Sequence, residues 1–424
     1  MMDSTDELPL RPIGFRPEEI SGLHNRRVIE EHASAAAFLW LQRERAVDAP
    51  HYRLKHLAML DERTRAHLQG IRVAGHVGWD VAVAALEQGD AGSVFVVSYL
   101  AFSSGDAAKM RHALQLGLSQ AQLERALEAA LIWLELPEVS SPIGALQRSA
   151  AADHQRVALG ALAGHGVDPG ETLQRALEND DVRLRAEALR IVGQFKRRDL
   201  SPAVKSCVRD PDPTCQFWAG WTLALLGYPE GPIAAFDEGL CRPEQQSRAL
   251  EIAMRFGESD WARQTVRTLA SRPEMLRLAI QASAAFGDPA VVPWLLRQAS
   301  QPRYARVAGE AIATITGADL DYLGLKQDAP EGESEDAAVE DKNLPWPDLQ
   351  RLTEWWSAQS GRYGSGQRYL AGQPISVASS LGVLREGYQR QRRAAALELA
   401  RLTETAPLWS ISARADRQQR GFPR

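Results

Sequence analysis

Apolar residues recur through most of this chain three or four positions apart, in short runs that predict amphipathic helices rather than strands. Five runs share one ending. "VRLRAEALRIVG", "FWAGWTLALLG", "RALEIAMRFG", "LAIQASAAFG" and "VAGEAIATITG" stop at Gly193, Gly227, Gly257, Gly287 and Gly317, at intervals of 34, 30, 30 and 30 residues. Fainter copies lie upstream in "VVSYLAFSSG" (to Gly105), "LERALEAALIWLEL" and "RVALGALAGHG". Each glycine reads as a helix terminus, where a left-handed residue is cheapest without a Cβ. An acid then caps a second helix: Asp199, Asp260, or Asp288 backed by Pro289. The second helices are "SPAVKSCVRD", "GPIAAFDEGL", "SDWARQTVRTLA" and "DPAVVPWLLRQAS". Small residues such as Ala186, Ala188, Ala219, Gly220, Ala282 and Ala285 let neighbouring helices approach closely. Two short helices per period of about 30 residues predict an α-solenoid, so the recurring turn is a joint and not a ligand loop.

The flanks read differently. Residues 1–88 hold a helical segment, with helices expected in "RRVIEEHASAAAFLWLQRERAV", "YRLKHLAMLDERTRAHLQGIRVAG" and "WDVAVAALEQG". The repeats occupy 89–325, and 326–342 reads as a flexible acidic linker without aromatics. The block 343–424 begins with a Trp-rich helix, continues through an extended turn around Tyr369 to Ile375, and ends in a long helix capped by Ser376. The expected fold class is all-α: a solenoid with an N-terminal helical segment and a small, mostly helical C-terminal block.

Composition adds little until charge is divided by segment. The chain has 424 residues, 45% hydrophobic and 24% charged, as in ordinary soluble proteins. Its N-terminus is acidic where a signal peptide is basic, and no apolar run reaches membrane-span length, so a cytoplasmic protein without a membrane partner is expected. Cys207, Cys215 and Cys241 suit reduced, mostly buried thiols. Net charge is −5 overall, but −5 falls in 326–342 alone and +6 in 343–424, which holds twelve Arg and no Lys. The remainder, 1–325, carries −6. Arg385, Arg390, Arg392 and Arg393 with Tyr388 resemble a nucleic-acid contact, but docking onto the acidic body is the favoured reading. The tryptophans Trp218, Trp221, Trp261, Trp294, Trp355 and Trp356 read mostly as packing between repeats.

Catalytic chemistry is hard to find. All nine histidines precede residue 166, and their densest group, His51, His56 and His67 with Asp61, has poor spacing for shared metal ligation. "GRYGSGQRYLAG" lacks both the Walker lysine and the dinucleotide-binding glycine order, and there is no G-x-S-x-G or H-E-x-x-H. No catalytic residue, metal or cofactor is expected, and the chain reads as a binding protein.

The glycines that stay in phase carry a first resemblance: residues 90 to 320 resemble HEAT repeats of the short subtype named after phycobilisome lyases, which implies a protein-binding scaffold. A second resemblance spans the chain. "HASAAAFLWLQRERAVDAPHYRLKHLAMLDERTRAHLQGIRVAG" and "RYLAGQPIS…LREGYQRQRRAAALELA" are similar to an uncharacterised proteobacterial family, encoded near type VI secretion spike (VgrG) and PAAR-tip effector genes, some with nuclease domains. It implies an immunity protein that neutralises a cognate effector toxin, such as a PAAR-tipped nuclease. The alternative is an adaptor or chaperone that loads an effector onto the spike. No direct nucleic-acid contact is implied. If the second helix of each repeat lines a concave face, the contacts fall to Asp237, Glu238, Asp260, Arg263, Arg267 and Arg297, with the loop acids Asp180, Asp181, Asp210 and Asp212.

Overall fold

Helices form where the apolar spacing placed them. The computed structural model describes residues 25–330 and 341–423. Three helices, α1 (Arg26–Ala46), α2 (Leu54–Val73) and α3 (Gly75–Ala84), lead into a two-row array. One row holds α4 (Ala91–Ser104), α6 (Ala121–Trp133), α8 (Ala152–Gly164), α10 (Val182–Gln194), α12 (Pro213–Leu225), α14 (Pro243–Phe256), α16 (Leu276–Phe286) and α18 (Ala305–Thr316). The other holds α5 (Ala107–Gly117), α7 (Leu136–Gln147), α9 (Glu171–Leu177), α11 (Ser201–Ser206), α13 (Gly231–Leu240), α15 (Ser259–Ala270) and α17 (Val292–Ala299). The C-terminal block adds α19 (Leu349–Gln359), α20 (Val377–Glu386), α21 (Gln389–Leu402) and α22 (Ala415–Gly421). Two short antiparallel ladders complete it: β1 (Lys326–Gln327) with β2 (Trp346–Pro347), and β3 (Tyr369–Leu370) with β4 (Gln373–Pro374). The architecture is an all-α solenoid.

The joints refine the register. Gly227, Gly287 and Gly317 are left-handed, with φ of 82°, 82° and 73°. Gly193 is not: it lies inside α10, and a Cβ there would meet the Thr222 hydroxyl at 2.7 Å, so it serves close packing of α10 on α12. The left-handed residue of that repeat is Lys196 (φ 52°), and Gly166 (φ 74°) fills the place before it. Gly257 keeps the register but is extended (φ −72°). With Lys196 and Gly257 included, the joints from 166 to 317 fall 30, 31, 30, 30 and 30 residues apart. The caps are corrected as well. Asp288 accepts from Ala290 N at 3.0 Å as expected. Asp199 sits inside a 3-10 turn, and Asp260 is the second residue of α15, which starts from Glu258 without a side-chain cap. Caps also form at Asp181 on Leu184 N (2.8 Å) and Asp212 on Thr214 N (2.8 Å), each stabilising its helix by about 1 kcal/mol.

The array curls until its ends meet. Arg53, just before α2, binds Asp319, just after the last repeat, at 2.9 Å, and the Tyr388 hydroxyl donates to the same carboxylate at 3.0 Å. Within the C-terminal block, α19 packs beside α17 at the end of the array, while α21 lies inside the curl on the row made by α4 to α18, which is therefore the inner row. Leu397 and Ala400 of α21 join Phe217, Trp221, Ala249 and Ile252 in one core, while Ala415 of α22 packs with Leu39, Leu54 and Leu57. The β3–β4 hairpin crosses the last joints: Tyr369 N donates to Gly287 O (2.8 Å) and Ala371 N to Thr314 O (2.7 Å).

The long C-terminal helix is two helices. Ser376 caps α20 as expected, but Gly387 is extended (φ −70°, ψ 165°) and the chain restarts at Gln389. The reason is tertiary: Gln389 N donates to Tyr52 O at 2.8 Å, so the backbone here bonds the N-terminal segment instead of its own helix. Of the acidic linker, 331–340 lies outside the described residues; its ends are pinned by the β1–β2 ladder and by Asp341, which is 3% exposed and accepts from Arg277 at 2.9 Å.

Candidate functional site

The polar face of the inner row, together with α1 and the tail, encloses a charged channel. Its widest chamber, about 650 Å³, lies among α1, α6, α8, α10, α14 and the tail. Smaller chambers of about 260 and 280 Å³ share Glu251 and Arg393 with each other, and the latter adjoins a seam of about 490 Å³ between Arg53, Asp319 and Tyr388. The repeat register decides which side chains enter. Glu187 and Arg190 stand nine and six residues before Lys196; Trp218 and Trp221 hold the same places before Gly227, and Arg248 and Glu251 before Gly257.

Charge in the channel is paired both within helices and across elements. Arg125 bridges Glu44 (3.1 Å) and Glu128 (3.2 Å), Arg190 binds Glu187 (2.5 Å), and Arg390 of the tail binds Glu310 (2.7 Å). Arg393 pairs with Asp48 and lies 4.0 Å from Glu251. Burial pushes the Glu128 carboxyl up to about 7 against the pull of Arg125, and it raises Glu251 and Glu310 above the usual carboxylate range. Arg392 is wholly enclosed by Gln389, Gln418 and the Leu384 carbonyl, and Arg385 donates to the Pro423 carbonyl. Of the four arginines that resembled a nucleic-acid contact, Arg390 and Arg393 thus pair with acids of the inner row and the turn after α1, Arg392 is enclosed within the C-terminal block, and Arg385 stays exposed.

The contact residues chosen from sequence do not line this channel. The expectation that second helices form the concave face is corrected: the glycine-ended helices do, because the tail's apolar face needs their small and apolar positions. Asp237 and Glu238 stand on α13, Asp260, Arg263 and Arg267 on α15, and Arg297 on α17, all in the outer row. Asp237, Asp260, Arg267 and Arg297 are exposed there, as is Asp180 in the turn between α9 and α10, while Arg263 is half-buried between Asp260 and Asp288 (both 3.2 Å). Asp181 and Asp212 are caps, and Asp210 is 9% exposed, held by both arms of Arg185 (3.0 and 3.1 Å). The histidine group is not brought together. Asp61 binds Arg43 at 3.0 Å, His56 accepts from Arg53 N, and His67 pairs with His32 at 2.9 Å. No group of three or more metal-ligating side chains occurs among the described residues.

The sequence reading missed the channel itself. Its signal was the same register that located the joints, read at nine and six residues before each joint instead of at the joint.

An α-solenoid of paired helices with a paired-charge inner face is the class of protein this architecture defines. A family model for HEAT repeats matches residues 169–240, from just before α9 to the end of α13, and the chain is a HEAT-like repeat protein, a fold that suggests a protein-interaction role. No curated protein matches the sequence. No helix among the described residues is long and apolar enough to cross a membrane.

Proposed function

We propose that this protein is an immunity protein, not an enzyme: it binds and neutralises a cognate type VI secretion effector, a nuclease acting in the cytosol. The observation that carries the reading is the direction of charge. Arg368, Arg390, Arg393, Arg401, Arg414 and Arg417 of the tail all end on carboxylates within the fold. The tail's positive surplus is thereby turned inward, and exposed acids face solvent on the outer row, as Asp237 and Asp260 do, and in the turn that follows α9, as Asp180 does. An outward acidic surface suits the basic substrate cleft of a nuclease, standing in for phosphates and speeding association by steering. With the inner face filled by the protein's own tail, the partner meets the outer row.

The test is co-expression with the effector encoded beside this gene, in cells without a secretion apparatus. Rescue of growth supports immunity, and the charge reversals Asp180→Lys, Asp237→Lys and Asp260→Lys together slow association at low salt. Failed rescue, with loss of effector secretion on deletion, would overturn the immunity reading in favour of an adaptor loading the VgrG/PAAR spike.

A further inference from the structure

One chamber of the channel has the make-up of a ligand site. We propose that the pocket between α10, α12, α14 and the tail binds a carboxylate carried on an aromatic or bulky apolar group. Its volume is about 260 Å³, and it opens into the larger chamber, with which it shares Arg190, Arg248 and Arg393. Trp218, Trp221 and Trp409 form its apolar wall, the first two edge-to-face at 5.2 Å. Arg248 and Ser412 of its lining are exposed, so solutes reach it.

The three guanidiniums are not equivalent. Arg190 is satisfied by Glu187 and Gln194, and Arg393 by Asp48. Among the described residues Arg248 has no carboxylate within ion-pair distance; it lies over the Trp218 ring at 5.9 Å and feels Glu251 only at longer range. The only lining acid, Glu251, is shared among Arg248, Arg255, Arg390 and Arg393. The surrounding protein also works against the charge of Arg248 and lowers its pKa. A forked donor in this setting, with no acid hydrogen-bonded to it, gains most from one planar carboxylate taken bidentately. Three lining guanidiniums that share Glu251, with Arg190 and Arg393 each bonded to a further acid, leave about one positive charge to match, which favours a carboxylate over a phosphate dianion. The tryptophans beside it offer flat apolar surface, which a bare small anion would leave wet. The carboxylate belongs either to a free small acid or to the C-terminal residue of a peptide.

The full-length protein is titrated by calorimetry, with no partner present, against indole-3-propionate, indole-3-propionamide, and tetrapeptides ending in Trp with a free or amidated terminus. The expected result is saturable one-to-one binding of a free-carboxylate probe with Kd of about 1 mM or tighter. The amide form should bind about tenfold or more weakly, and Arg248→Gln should cost the acid about the same factor. Arg248 is exposed and bridges no acid, so the variant should keep the wild-type circular dichroism and melting temperature. Tighter binding of the peptide assigns the site to a chain terminus, and equal binding of the small acid assigns it to a free metabolite-sized ligand; both support the site. Equal affinity for acid and amide, unchanged affinity in Arg248→Gln, or no saturation by either acid at about 10 mM would overturn it.

Discussion

Replacing Gly287 with alanine sets a backbone cost and a tail-docking cost on one methyl group. Gly287 has φ of 82°, a conformation that costs an L-residue about 1–2 kcal/mol. The added Cβ would also lie 2.5 Å from the Tyr369 carbonyl oxygen, well inside contact distance. Moving the β3–β4 hairpin away strains the bond from Tyr369 N to Gly287 O, worth about 0.5–1.5 kcal/mol, and the crowding adds about 1–3 kcal/mol. The expected loss is therefore about 2.5–6.5 kcal/mol. Gly166 supplies the control, because it has φ of 74° and no heavy atom within 4 Å of its built Cβ, so Gly166→Ala should cost only the backbone share of about 1–2 kcal/mol. Urea unfolding of both variants, with limited proteolysis of the C-terminal block, measures the difference. If Gly287→Ala costs no more than Gly166→Ala and leaves the tail equally protected, the docking of the hairpin on this joint is refuted.

Lys196→Gly relieves a left-handed residue yet removes an ammonium that donates to the Ala400 and Thr403 carbonyls at the end of α21. The charge-assisted bonds, about 1.5–3 kcal/mol, outweigh roughly 1 kcal/mol of backbone relief, so urea unfolding should show a net loss. Glu128 has a folded pKa of about 7 against 4.5, so the folded state holds the extra proton between those values. Its contribution is full below about pH 4.5 and lost as pH rises through about 7; Glu128→Gln should flatten that slope and raise stability at pH 8, measured as unfolding free energy against pH. Asp319→Ala removes the shared acceptor of Arg53 and Tyr388 and should cost about 1–2 kcal/mol while speeding hydrogen exchange at the Tyr52–Gln389 seam.

Local signals in the chain carry much of the architecture. Period, capping and small residues point to the two-helix unit, its joints at Gly227, Gly287 and Gly317, the second helices from Ser201 to Ala299, and the Ser376 cap. These depend on backbone preferences within a few residues, which a sequence states directly. The misplaced features answer to tertiary contacts instead. Gly193 packs α10 on α12, and Lys196 takes the left-handed place because its side chain reaches the tail, a contact 204 residues away in the chain.

What tertiary structure alone decided is which row faces inward. Both rows alternate apolar and polar positions, so amphipathicity cannot say which polar face meets solvent and which meets the chain's own C-terminus. The tail's buried alanines and arginines choose the glycine-ended row, where Glu251 and Glu310 supply partners. That choice moves Asp237, Asp260 and Arg297 outside, joins Arg53 to Asp319, and converts Gly287 from a joint into a seat for the β3–β4 hairpin. The sequence by itself determined the repeat; the long-range pairing of charges and apolar surface, which no local window contains, determined the closed ring and the channel within it.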